Sequence, residues 1–244
     1  MFGLDFIITL FDWCVYFPLF NALVLVYNFT PGHDFGLAII FLTLIIRVVL
    51  YPISVQAFKS QKAIQRLQPK ITELQEKYKD DKERQAKETL ELYRKENINP
   101  FSSLLLAIIQ LPILVALYRV FWNGLSASEL KYLYPFVANP GHINTIFLGI
   151  MDLSKPNWVF AIIAGGVQFF QTKLLLPKPQ EGQKKGSDMA VMMQKQMVYF
   201  FPIITVLILL RLPSALGLYW IASGLFMVIQ QYIIIKKTNG NTGK

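Results

Sequence analysis

Phe35-Gly-Leu-Ala-Ile-Ile-Phe-Leu-Thr-Leu-Ile-Ile-Arg-Val-Val-Leu-Tyr-Pro-Ile-Ser54 is an apolar run with one charge inside it, Arg47. The run is about long enough to cross a hydrocarbon core of roughly 30 Å. A guanidinium there costs roughly 3 kcal/mol on insertion scales and cannot escape by losing its proton. Such a residue either snorkels to a nearby interface or faces a polar cavity inside the protein.

The rest of the chain fits a bilayer setting. Its 244 residues are 54% hydrophobic and 16% charged, with a mean hydropathy of +0.41. Soluble domains carry nearer a quarter charged residues. The apolar residues come in long blocks, as in an all-α integral membrane protein. Five spans are read at 35–55, 101–122, 157–176, 197–211 and 214–235. Asn99-Pro100 opens the second, an N-cap followed by proline. Arg211-Leu-Pro-Ser214 joins the last two as a tight hairpin.

Orientation comes from the basic residues. The net charge is +9, and eleven Lys and Arg residues fall between Gln56 and Asn99. The 177–196 segment and the 236–244 tail are also basic, so all three are expected to be cytoplasmic. The 123–156 loop carries only Lys131 and Lys155 and is expected outside, as is the N-terminus. Clustered cationic residues beside a bilayer also attract anionic lipid.

Residues 1–34 are more ambiguous. Asp5, Thr9, Asp12 and Tyr16 share one helical stripe, and Pro18 interrupts the helical pattern just after it. The expectation is a helix over 4–28 lying in the outer interface and bent near Pro18. A sixth span is the alternative. No cleavable signal peptide is read, because Asp5 and Asp12 stand where a basic region would be.

The 56–98 segment reads as an antiparallel two-helix hairpin projecting into the cytoplasm. Ile64, Leu67, Ile71, Leu74 and Tyr78 form one apolar seam, continued by Ala86, Leu90 and Tyr93. Asp80 and Glu83 have the spacing of a capping box for the second arm. Pro69 is expected to kink the first arm.

The polar residues within the spans fall at similar depth. Counted from the outer ends, Arg47 and Gln110 both lie roughly 18 Å in. Gln168 and Gln171 lie at about 16 and 21 Å, and Ser223 at about 14 Å with Tyr219 and Trp220 just above it. Each has a plainer reading: snorkelling for Arg47, interhelical glue for the glutamines, an interfacial belt for Tyr219 and Trp220. One shared layer across four spans favours a common polar interior.

No catalytic constellation is visible. His33 and His142 both fall in outer loops, and the single cysteine, Cys14, excludes an intramolecular disulfide. No Walker loop, HExxH motif or Ser/His/Asp arrangement appears, so no cofactor, metal, nucleotide or nucleic acid is expected. The five spans contain no carboxylate, which speaks against an ion-coupled transporter.

Several motifs resemble the YidC-type membrane protein insertases, the family that includes the mitochondrial oxidase-assembly and chloroplast Albino insertases. Ile46-Arg47-Val-Val-Leu-Tyr51-Pro52 resembles the first core span of that family. Leu67-Gln-Pro69-Lys70-Ile71 and Tyr93-Arg-Lys-Glu-Asn-Ile-Asn99-Pro100 are similar to the ends of its cytoplasmic hairpin. Gln110-Leu-Pro112-Ile113, Phe169-Phe-Gln171-Thr-Lys173 and Leu212-Pro213-Ser-Ala-Leu-Gly-Leu-Tyr219-Trp220 resemble its later spans, in order. The resemblance covers roughly residues 10–237.

The resemblance implies five transmembrane helices around a hydrophilic groove, open to the cytoplasm and to lipid and closed outside. It maps the groove arginine onto Arg47 and its partners onto Gln171 and Trp220, with Gln110 a weaker match. It implies a membrane protein insertase and chaperone, not an enzyme, in a bacterial-type plasma membrane. Nascent membrane proteins would be its clients. The Sec translocon, the signal recognition particle system and the ribosome are further partners it admits. The large extracytoplasmic domain and the lipoprotein signal of some members are not seen, and the tail after Lys237 is short. A small transporter or channel subunit, or a non-catalytic assembly scaffold, is the competing class. A transporter would be expected to show repeated broken spans, and no internal repeat is seen.

Overall fold

The computed structural model describes residues 2–122, 129–175 and 188–240. Helix dominates. α1 (Phe2–Phe11) passes through a π turn (Asp12–Tyr16) into α2 (Phe17–Phe29). The helix expected to bend near Pro18 continues through it without a break. Proline cannot bond back to residue i−4, and its ring crowds that carbonyl. The wider π turn directly upstream takes up the misfit. The Asp5–Phe29 stretch is apolar and long enough to cross a membrane by length and composition.

Asp34 caps α3 (Phe35–Val49), its Oδ1 accepting from the Leu37 amide at 2.9 Å. The helix expected over 35–55 does not run straight to Ser54. α3 stops at Val49, Leu50 intervenes, and α4 (Tyr51–Lys77) leaves at 64°. Pro52 is the reason: it lacks the N–H that Val48 would accept, and it sits comfortably in the first turn of a new helix. The first arm of the hairpin thus begins at Tyr51, not at residue 56.

α4 stays one helix through Pro69. The cap of α5 (Lys82–Lys95) is Asp81, one residue later than the capping-box spacing suggested; it accepts from the Arg84 amide at 2.9 Å. Leu67 and Ile71 are buried, whereas Leu90 is half exposed, so the seam is lopsided. Gln85 donates across the hairpin to the Gln75 carbonyl at 3.1 Å.

Asn99 accepts from the Phe101 amide at 2.9 Å just before α6 (Ser102–Trp122). A loop follows that holds a short hairpin, β1 (Ile146–Phe147) against antiparallel β2 (Met151–Asp152). The Phe147 ring lies against Gly36 so closely that a Cβ there would sit 2.1 Å from it, which fixes the loop onto the start of α3. Residues 123–128 of the expected outer loop lie outside the described residues.

α7 (Trp158–Leu175) packs along α8 (Asp188–Leu209) and α9 (Ser214–Gly240), and α9 also packs along α3. Gly165 meets Val206 of α8, and Gly224 meets Val167 of α7, so backbones come close where small residues allow it. α8 starts at Asp188, upstream of the span expected at 197, and α9 runs on to Gly240, so much of the expected basic tail is helical. Lys178, Lys184, Lys185 and Lys244 of the basic segments lie outside the described residues.

The buried core sits between α2, α3, α6, α9 and the 129–153 loop, around Phe20, Phe35, Ile39, Leu117, Val120, Leu153 and Leu216. Ile45, Val48, Val49, Leu111, Val115, Ile162, Leu207 and Ile208 face outward. Continuous aliphatic exposure of that kind is stable only against lipid.

Candidate functional site

Arg47 is 6% exposed although it lies one turn from the end of α3. Its Nε donates to Ser223 Oγ of α9 at 2.9 Å, and Nη2 donates to the same oxygen. The Tyr219 hydroxyl, one helical turn earlier on α9, lies beside the guanidinium. Gln110 of α6 donates through Nε2 to that hydroxyl. Three helices thus meet at one polar node. Among the described residues no carboxylate pairs with Arg47, and the Gln110 Oε1 is buried without a partner. The cation is solvated by dipoles and left charged, which makes it attractive to an anion.

An adjacent face of α9 carries a second node. Gln168 Oε1 of α7 accepts from Trp220 Nε1 at 3.0 Å and from Thr205 Oγ1 of α8 at 2.7 Å. Gln171, one turn along α7, donates to the Met227 sulfur at 3.4 Å. The polar layer expected from depth holds two sets of hydrogen bonds, on adjacent faces of α9. Tyr219 and Ser223 serve the first set, and Trp220 and Met227, about 70° further round the helix on average, serve the second. Replacing Gln168 with Leu orphans two part-buried donors, Trp220 Nε1 and Thr205 Oγ1, at about 1 kcal/mol apiece. Thermal unfolding in detergent should then fall measurably for Gln168→Leu and recover for Gln168→Glu, which keeps the acceptor.

Spacing from Ser223 points to residues that depth alone misses. Gln230 lies seven residues on, two turns along the same face of α9. Its Nε2 donates to Ser54 Oγ at 2.7 Å, and Ser54 lies seven residues after Arg47. Arg47–Ser223 and Ser54–Gln230 are successive rungs of one polar ladder, roughly 10 Å apart along α9. Gln231 beside it is 2% exposed with neither amide atom partnered. Thr205 has no sequence signal, being one threonine in an apolar helix. Far from both nodes, Arg119 pairs with Asp12 and covers the Tyr16 ring, pinning α6 to the π turn.

These helices define a class of integral membrane protein whose outside suits lipid and whose interior offers hydrogen bonds around a free cation. Comparisons with known proteins narrow the class. The 60Kd inner membrane protein family matches residues 25–241. The membrane protein insertase YidC of Fusobacterium nucleatum is 36% identical over 84% of this chain and 87% of its own. That of Clostridium tetani is 35% identical over 85% and 84%. The insertase of Syntrophus aciditrophicus is 36% identical over 90% of this chain but only 36% of its own length. A crystal structure of an active YidC insertase superposes with a TM-score of 0.56 at 29% identity, over 89% of this chain and 46% of that one. The chain belongs to the 60Kd inner membrane protein family and is a membrane protein insertase, multi-pass in the inner membrane.

Proposed function

We propose that the Arg47 node and the ladder beneath it line a hydrophilic groove through which clients enter the bilayer. The observation that carries this reading is the buried guanidinium with hydroxyl partners and, among the described residues, no counter-ion. A polar groove shortens the apolar distance that a client's polar segment must cross. Arg47 attracts an acidic segment there, in a setting where its field is weakly screened. The client's apolar stretch then moves sideways into lipid, favoured by roughly 25 cal/mol for each Å² removed from water. The step is a partition between environments, and no bond is made or broken, so the protein acts as a chaperone and not as an enzyme.

The α4–α5 hairpin and the α9 tail carry the basic residues and take the cytoplasmic side. The hairpin is the receiving arm for nascent membrane proteins handed on by the ribosome, the signal recognition particle system or the Sec translocon. Its cations hold it near anionic lipid. α2 takes the outer interface. Tyr16, Asn21, Tyr27 and Asn28 bond in turn to Glu129, Tyr132, Asn144 and Ala138. A helix that follows one loop for about 18 Å lies alongside it, which supports a flat placement over a sixth span.

Photocrosslinkers placed at 47, 110, 171 and 220 test the groove. A ribosome-held single-span client should give adducts from these sites and none from Phe136 on the outer loop. Adducts from Phe136 alone would sink the reading.

A further inference from the structure

Away from the hairpin, a cavity of about 410 Å³ opens between the C-terminus of α6, the 142–156 loop and the α8–α9 turn. Arg211, His142, Thr145 and Ser154 supply its polar wall, and Phe121 and Trp122 its aromatic one. No described carboxylate pairs with Arg211. Asp152, in the same loop, is already occupied. Its Oδ1 accepts from Thr145 Oγ1 at 2.9 Å, Ser154 Oγ at 2.6 Å and Ser154 N at 3.0 Å. Its Oδ2 faces Lys155 Nζ at 3.1 Å. The Ser154 hydroxyl, chiefly, holds the Asp152 carboxyl well below the usual carboxylate range, so it stays ionised and keeps both hydroxyl protons.

That arrangement fixes what the cavity can bind. Thr145 and Ser154 have spent their protons on Asp152 and can only accept. Arg211 can only donate. A ligand that presents an anion and hydroxyl donors together matches both. The Asp152 charge, met by Lys155, does not oppose the anion strongly. Trp122 is 56% exposed at the end of α6, as an interfacial aromatic would be.

We propose that this cavity holds the headgroup of an outer-leaflet anionic phospholipid, its phosphodiester on Arg211 and its polyol hydroxyls donating to Thr145 and Ser154. Phosphatidylglycerol has this chemistry, whereas phosphatidylcholine has the phosphate without the donors. Glycerol phosphate shares the headgroup chemistry but has no acyl chain to lie along α6.

Native mass spectrometry of the full chain in detergent, titrated with each of the three, is the test. The first phosphatidylglycerol should be retained in preference to phosphatidylcholine. Arg211→Gln should weaken its retention about tenfold, the size of one lost charge-assisted hydrogen bond. Arg211→Lys should stay within about threefold, because the charge remains. Lys131→Gln, an exposed cation of the outer loop that does not line the cavity, should leave it unchanged. Equal retention by Arg211→Gln and the parent, or loss in Lys131→Gln instead, overturns the site. Glycerol phosphate bound as well as the lipid would mark a small-anion pocket and overturn the lipid assignment.

Discussion

An Arg47→Ala protein in proteoliposomes will insert single-span clients with acidic N-terminal tails more than tenfold more slowly, and clients with neutral tails within about twofold of normal. The charge sets the size of the effect. At an effective dielectric of about 20, one unit charge attracts another about 10 Å away by about 1.7 kcal/mol, which is more than a factor of ten. The neutral tail feels no such attraction and needs only the polar lining, which Ser223, Tyr219 and Gln110 still provide. Arg47→Lys should recover most of the acidic-tail rate. It keeps the charge but gives up the two-pronged contact with Ser223 Oγ.

Stability separates this effect from misfolding. Removing one half of a buried ion pair strands the other charge, but Arg47 has no ionic partner among the described residues to strand. Its removal frees the Ser223 hydroxyl and one contact of the Tyr219 hydroxyl, which keeps Gln110, so thermal unfolding of Arg47→Ala should shift little. Equal slowing of acidic and neutral clients, or no slowing of either, would remove the charge from the mechanism.

How far the sequence foretells this site depends on the local signal of each residue. An arginine in an apolar run is conspicuous because nothing nearby can neutralise it, and depth counting places Gln110, Tyr219 and Ser223 beside it. Depth counting has no azimuth, however. It puts Gln171 in the same layer, but the Gln171 amide bonds Met227 and not the Ser223 hydroxyl. Helical phase on α9 separates the two sets, since Tyr219 and Ser223 are four residues apart and Trp220 lies about 100° away from Tyr219. The same phase points to Gln230. Thr205 is out of reach, because its role depends on where α8 packs against α7, and that register is set by close contacts such as Gly165 on Val206. The bend after Val49 is legible in Pro52, but the hydrophobic run continues across it and masks the break.

The polar staple of α2 is the least visible feature in the sequence, and its removal should be the largest structural perturbation. Asn21 is 2% exposed. Its Nδ2 donates to the Tyr132 carbonyl at 3.1 Å and to the Phe17 carbonyl at 2.9 Å, and its Oδ1 accepts from the Tyr134 amide at 2.6 Å. Asn21→Leu keeps the volume and leaves the Tyr134 N–H and the Tyr132 carbonyl without a side-chain partner. At about 1–3 kcal/mol for each buried group orphaned, the loss is roughly 3 kcal/mol. Limited proteolysis of the 129–145 segment in detergent should then accelerate by more than tenfold, with the α4–α5 hairpin cut at its usual rate. Asn21→Asp keeps the acceptor for Tyr134 and should recover about half. Asn21 is packed against the loop, which shields the freed groups from water even at the outer interface, so the penalty stands. Proteolysis of the loop unchanged in Asn21→Leu would mean that the loop is held by Phe147 on Gly36 and by Tyr27 instead.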